Sequence, residues 1–378
     1  MTLPPEMWHH VAVMGTSTAV RWSYSDGAAF RAVCTTFRAI METIAPMNKL
    51  KREIECAFQT FAPECRLHGY TWNCGAAGPP TLLFGLSCDG RRAVCRDHSR
   101  FDSFYDIGGA STHHTTAAQN WIVALVPSRF HAETVWVISS DGNVTKFQDG
   151  MQHASYRLPC LAQFTVVAVI EVVLDVLVIS IAYHHVNTIM LVNMSRFEAG
   201  AVVDYPTEST PLILTNLTEN AWATAPYGES RITLWNDDLV ESAGYTWKTY
   251  EPVVCMAADK HHLVYVGKRD GRFVFRRGWY DGCGQTVPTT LTLSSASVVL
   301  TGVSQVYGIT MARNHIVVIS VGFCDAAGTF GAIIATATVL SAIRIRSDGP
   351  LYFAAHPLNA TLAVANYHGV AFVPYLFA

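Results

Sequence analysis

His262-Leu263-Val264-Tyr265-Val266, then Arg269-Asp270-Gly271, then Arg272-Phe273-Val274-Phe275, reads as two β-rich runs about a tight polar turn. Asp-Gly between such runs is a strong hairpin signal, because both residues tolerate the positive φ that hairpin turns need. The pattern recurs. Thr81 to Ser87 precedes Cys88-Asp89-Gly90, Thr134 to Ser139 precedes Ser140-Asp141-Gly142, and Thr361 to Ala365 precedes Tyr367-His368-Gly369.

The spacing of the turn glycines adds to this. Gly90 to Gly142 is 52 positions, Gly142 to Gly271 is 129 and Gly271 to Gly369 is 98. Taken as one, three and two repeats, these give a period of roughly 43–52 residues. That period predicts further turns near 185, 228 and 320. The chain offers His184-His185-Val186-Asn187, Pro226-Tyr227-Gly228 and Cys324 to Gly328 there. Additional runs at Trp121–Val126, Phe164–Val169, Val253–Ala257 and Tyr352–Ala355 give three or four strands per unit. A period in the forties with several strands per repeat predicts a mainly β fold, a β-propeller of about seven blades over residues 67–378. The apolar end Leu376-Phe377-Ala378 suggests a last strand that closes the ring by pairing with an early one.

Residues 1 to about 65 follow a different pattern. In Phe30 to Ile44, the residues Phe30, Val33, Cys34, Phe37 and Met41 fall on one face at helical spacing. Lys49 to Phe61 ends at Ala62-Pro63, as helices do before proline. The chain therefore divides into a helical module at 1–48, a linker helix at 49–66 and the β domain.

Half the residues are hydrophobic, 15% are charged and the net charge is -3. No global basic field points to nucleic acid. The opening residues have neither the basic nor the apolar region of a signal peptide. The four Asn-x-Ser/Thr sequons, at Asn143, Asn193, Asn216 and Asn359, would matter only in a secreted chain. Leu161 to Tyr183 is apolar and long enough to span a bilayer. Glu171 and Asp175 near its middle, and its many Val and Ile residues, point instead to two buried strands about a Glu-Val-Val-Leu-Asp connection.

No catalytic, cofactor or metal motif emerges. The His-His pairs at 9–10, 113–114, 184–185 and 261–262 would point to opposite faces within a strand, and no acid or cysteine is assigned to them at ligand spacing. Cys95-Arg96-Asp97-His98 crowds a thiol, an acid and an imidazole, but adjacency in sequence is not triad geometry. Gly322 to Gly331 lacks a phosphate-loop Lys and reads as a long hairpin. Trp235-Asn236-Asp237 is the nearest approach to the Trp-Asp dipeptide of WD repeats.

Leu3-Pro4-Pro5-Glu6-Met7, Val11 and Val33-Cys34-Thr35-Thr36-Phe37-Arg38 together resemble an F-box, the helical motif that docks proteins on the Skp-type adaptor of a cullin ubiquitin ligase. Pro at a first helical turn loses no amide donor, and Glu6 suits the positive end of the helix dipole. The segment Gly15 to Ala29 is longer and more polar than in that family. The resemblance implies an adaptor surface at Leu3, Pro4, Glu6, Met7, Val11, Val33, Cys34 and Phe37. It also implies a β domain that binds a protein target, no enzymatic activity or cofactor, and a place in the cytoplasm or nucleus, a host cell's if the source is viral. The alternatives are a propeller scaffold whose helical head is only a structural cap, and a propeller hydrolase or lyase with its site at the central channel.

Overall fold

The computed structural model describes Arg52, Ile54 and, between residues 84 and 374, twenty-eight strands with most of their shorter connections. The strands form seven antiparallel sheets, each from one contiguous stretch of chain. Sheet I holds β1 (Phe84–Leu86), β2 (Arg92–Asp97), β3 (Arg100–Tyr105) and β4 (Ser111–Thr115). Sheet II holds β5 (Ile122–Pro127), β6 (Thr134–Ser139), β7 (Asn143–Gln148) and β8 (Met151–Arg157). Sheet III holds β9 (Thr165–Val173), β10 (Val176–Tyr183), β11 (Val186–Asn193) and β12 (Glu198–Glu208). Sheet IV holds β13 (Leu212–Asn216), β14 (Ala221–Pro226), β15 (Arg231–Asn236) and β16 (Tyr245–Lys248). Sheet V holds β17 (Val253–Ala258), β18 (His262–Arg269), β19 (Arg272–Tyr280), β20 (Leu291–Leu293) and β21 (Val298–Val299), the last two both pairing β19. Sheet VI holds β22 (Val303–Met311), β23 (Val317–Phe323), β24 (Thr329–Ala335) and β25 (Leu340–Arg346). Sheet VII holds β26 (Tyr352–Ala355), β27 (Thr361–Asn366) and β28 (Gly369–Pro374).

The sheets pack face to face in a ring, with the first strand of each innermost. Seven apolar clusters, one per junction, join I to II, II to III and so on to VII and back to I. The fold is mainly β: six complete blades of a β-propeller and a three-stranded seventh sheet that completes the circuit. The innermost strands approach closely. A Cβ on Gly85 of β1 would sit 2.6 Å from the Pro127 ring of β5.

Each second strand is wedged between two neighbouring sheets, so both of its faces are buried. β6 (Thr-Val-Trp-Val-Ile-Ser), β14 and β23 are buried at every position. This is why these strands read as continuous apolar runs rather than as alternating ones, as strands covered on both faces do. The outermost strand β8 is mostly exposed and correspondingly polar.

The hairpins expected near 185, 228 and 320 are present. They join β10 to β11, β14 to β15 and β23 to β24. The turn at Asp89-Gly90 has a different place. It joins the first two strands of its sheet, whereas Asp141-Gly142 and Asp270-Gly271 join the second and third. The first glycine interval therefore spans more than one repeat. Leu161 to Tyr183 contains β9 and β10, but Glu171 lies within β9 and the turn is Leu174-Asp175, with Asp175 at positive φ. No helix among the described residues is long and apolar enough to cross a membrane.

The expected pairing of the apolar C-terminal end with an early strand involves Leu376-Phe377-Ala378, which lie outside the described residues. Among the described residues β28 pairs only with β27. Sheet VII packs on sheet I through the side chains of Ala93, Cys95, Ala363, Ala365 and Val370. Cys95 is fully buried in that junction, so it serves packing and is not a surface nucleophile. Trp235 also has a core role. It stacks on Trp222 at 5.3 Å and donates its indole N–H to Thr224.

Sheet V carries a buried ion pair. Arg276 grips Glu251 through Nε and Nη2, each 2.6 Å from a carboxylate oxygen, and Tyr265 donates to the same carboxylate. Gly267 makes room, since a Cβ there would sit 2.6 Å from that of Glu251. Burial pushes the Glu251 carboxyl up, but Arg276, Tyr265 and Arg269 outweigh it and hold the group below the usual carboxylate range. A carboxyl depressed in this way stabilises the fold above its unfolded value of about 4.3 and loses that contribution as the pH falls through its folded value. Arg276→Met, which strands a buried carboxylate, should cost about 3–5 kcal/mol in urea unfolding at neutral pH. The difference from the parent should shrink below about pH 4.

Ile54, helical and fully buried, packs into the junction of sheets VI and VII against Ile316, Ile334, Leu362 and Val373. Ile54, just after the predicted helical head, is thus part of the propeller's own core. Ile54→Ala should destabilise the β domain by about 2–5 kcal/mol, measured by thermal or urea unfolding.

Candidate functional site

The antiparallel order divides the connections between two edges of the ring. Turns between first and second strands lie on one edge, and turns between second and third strands on the other. The first edge is laced by polar contacts that run from sheet to sheet. Arg92 at the start of β2 reaches Glu133 at 3.3 Å and Ser103 at 3.0 Å. Glu171 of β9, wholly buried, accepts the Arg129 backbone N–H at 2.8 Å and the Trp136 indole N–H at 3.0 Å. Lys146 then pairs with Asp175 at 2.6 Å.

Among the described residues, one group of titratable side chains with metal-ligand chemistry lies on the same edge, where sheets V and VI meet. Asp259 occupies the turn between β17 and β18. Its Oδ1 accepts the backbone N–H groups of His261 and His262, at 2.9 and 2.8 Å, which fixes the carboxylate. His262 opens β18, with Nδ1 at 3.2 Å from the same oxygen. His315 comes from the turn between β22 and β23, in the next sheet, and places Nδ1 2.6 Å from Asp259 Oδ2. The two imidazole rings are 4.2 Å apart, and Trp279, opposite His262 on β19, lies at 6.5 Å.

The His315 turn is held from the neighbouring sheet. Arg277 of β19 donates to the His315 carbonyl through both Nη atoms at 3.2 Å, and to the Ala335 carbonyl at 3.3 Å. His315 itself takes a left-handed backbone with φ of 57°. Burial pushes the His262 ring down; Asp259 pulls it the other way, and His315 and Arg277 add to the downward push, which prevails. Burial alone would raise Asp259, but its two backbone donors and the two imidazoles hold it below the usual range.

The expectation that the His261-His262 pair has no acid at ligand spacing does not hold. Asp259 lies three residues before His262, and the turn brings them together. His261 lies in the turn just before β18, and of the pair only His262 joins Asp259 and His315 as a candidate ligand. His315 is far away in sequence, so the third member could not be read from spacing. The predicted adaptor-binding residues Leu3, Pro4, Glu6, Met7, Val11, Val33, Cys34 and Phe37 lie outside the described residues, as does the 1–48 module boundary.

No family model matches the chain, and no curated protein matches it in sequence. Solved structures do match. The β-propeller domain of Cps50 (Swd1) from Myceliophteria thermophila is 10% identical, with a TM-score of 0.56, and the match covers 78% of this chain and 96% of that one. A chain of the mitotic checkpoint complex is 12% identical, with a TM-score of 0.57, covering 81% and 89%. A catalytically inactive virginiamycin B lyase from Staphylococcus aureus, solved with quinupristin, is 11% identical, with a TM-score of 0.55, covering 80% and 97%. At such identities the likeness shows the β-propeller fold, which hosts both binding and catalytic proteins.

The left-handed backbone at His315 has a direct test. Asn tolerates that conformation and a β-branched residue does not. His315→Val should therefore be less stable than His315→Asn by about 1–3 kcal/mol in thermal unfolding, although both remove the imidazole.

Proposed function

We propose that the chain is a non-enzymatic interaction protein, the substrate-recognition subunit of a cullin-type ubiquitin ligase. In this reading residues 1–48 dock the Skp-type adaptor through Leu3, Pro4, Glu6, Met7, Val11, Val33, Cys34 and Phe37, and the propeller holds a protein target in the cytoplasm or nucleus. The order of modules carries the proposal: an F-box-like motif in front of a rigid ring. The ring suits the second task. Its buried strands fix the connecting turns at two edges, and recognition residues on such turns gain a stiff scaffold.

A second reading is a propeller scaffold whose head only caps the ring. The burial of Ile54 between sheets VI and VII favours it, because the segment just beyond the head already belongs to the propeller's packing. The two readings differ in one experiment, co-purification with a Skp-type adaptor. Full-length chain should retain the adaptor, and Leu3→Ala with Pro4→Ala should lose it while the β domain unfolds at the same temperature as the parent. Loss of the fold in that variant would favour the cap, and absence of adaptor binding by the parent would remove the ligase reading.

A further inference from the structure

We propose that Asp259, His262 and His315 bind one divalent transition-metal ion, zinc being the best fit, across the facing turns of sheets V and VI. Two borderline imidazoles and one hard carboxylate form a donor set that suits such an ion, and three protein ligands with an open position is a common arrangement for zinc. One donor atom from each residue lies within 4.8 Å of the other two. This site is independent of the adaptor reading.

The geometry is close to what an ion requires. With metal–ligand bonds of about 2.0–2.2 Å, tetrahedral donor atoms lie roughly 3.3 Å apart. His262 Nδ1 lies 3.2 Å from Asp259 Oδ1 and His315 Nδ1 2.6 Å from Oδ2, so the carboxylate faces the two imidazoles through different oxygens. To take an ion on Oδ2, His315 must withdraw by less than about 1 Å. It can do so, because its side chain is 51% exposed. That exposure also provides an entry path and leaves the fourth position to water.

Several surrounding features position the ligands. The carboxylate is fixed by two backbone donors on Oδ1, which leaves Oδ2 turned to His315. Arg277 ties down the His315 turn by its carbonyl, in the way that outer partners of a metal site hold their ligands. His315 keeps a left-handed backbone, and backbone outliers of this kind concentrate where a side chain is held for a purpose. The positive charge of Arg277 opposes a cation, but it is spent on two carbonyl oxygens, and its effect is to moderate affinity.

The test is titration of the full chain with zinc chloride, followed by calorimetry, and with cobalt chloride, followed by visible absorption, in chelator-free buffer. Fifteen histidines make background binding a real competitor, so the comparison between variants decides. The parent should bind one more equivalent than Asp259→Asn, His262→Ala or His315→Asn, or bind that equivalent at least about 10-fold more tightly. His261→Ala, which keeps the backbone N–H that holds Asp259 and removes an imidazole outside the ligand group, should match the parent. Cobalt should give intense tetrahedral bands in the parent and in His261→Ala, and not in the three ligand variants. Equal binding by parent and all three variants, or an equal loss in His261→Ala, would overturn the proposal. His315→Asn keeps the backbone conformation, and each variant's fold is checked by circular dichroism. Saturating zinc should also raise the parent's unfolding temperature and not that of His315→Asn, since binding to the folded state alone stabilises it; no rise in the parent would likewise count against the site.

Discussion

A sheet with two apolar faces must be covered on both, and in this chain neighbouring sheets of a ring provide the cover. Every junction depends on its neighbours, and the last must be made between the two ends of the β domain. The closing junction uses small side chains: Ala93 and Cys95 from β2 against Ala363, Ala365 and Val370 from sheet VII. Small residues allow close approach of these two sheets. Among the described residues, dispersion and exclusion of water hold this junction. The residues at this junction have the least freedom to grow, because extra atoms in a packed core force neighbouring side chains apart.

Apolar packing alone would let adjacent sheets slide, and the buried polar groups remove that freedom. Glu171 is bound to a turn and an indole of the preceding sheet, so the third sheet takes one position relative to the second. Asp259 and Arg277 do the same between the fifth and sixth. Glu251 and Arg276 act within a single sheet, and their two-pronged pairing fixes the Ser294–Ser295 segment through the remaining guanidinium donor. Directional contacts thus specify where the sheets sit, while the apolar clusters supply most of the driving force.

The sequence carried the repeat more clearly than it carried the site. Asp-Gly turns and β-branched runs are local signals, and Asp141-Gly142 and Asp270-Gly271 mark equivalent hairpins. Asp89-Gly90 looks identical but joins other strands, because turn chemistry reports a reversal and not its position within the blade. Glu171 looked like part of a connection since a charge in an apolar run usually breaks it. Its partners, the Arg129 backbone N–H and the buried Trp136 indole, come from another sheet and leave no periodic trace. The Asp259–His262 pair was within reach of a spacing argument, but His315 was not, as only the ring brings neighbouring turns together.

Ile54 sets a limit on how any head can be placed. Its side chain is fixed between sheets VI and VII, and six residues separate it from residue 48. An extended chain covers at most about 3.5 Å per residue, so the end of the 1–48 module stays within roughly 20 Å of that junction. A head joined by so short a connection cannot sample the whole surface of the ring. In the receptor reading, a bound adaptor would then approach from the side of sheets VI and VII, and the target would face it from a nearby part of either edge. In the cap reading, the same constraint keeps the head over the junction that Ile54 already fills. Both accounts therefore give the boundary between the sixth and seventh sheets a role in placing the head, and among the described residues it is there that one from outside the repeats, Ile54, enters the core.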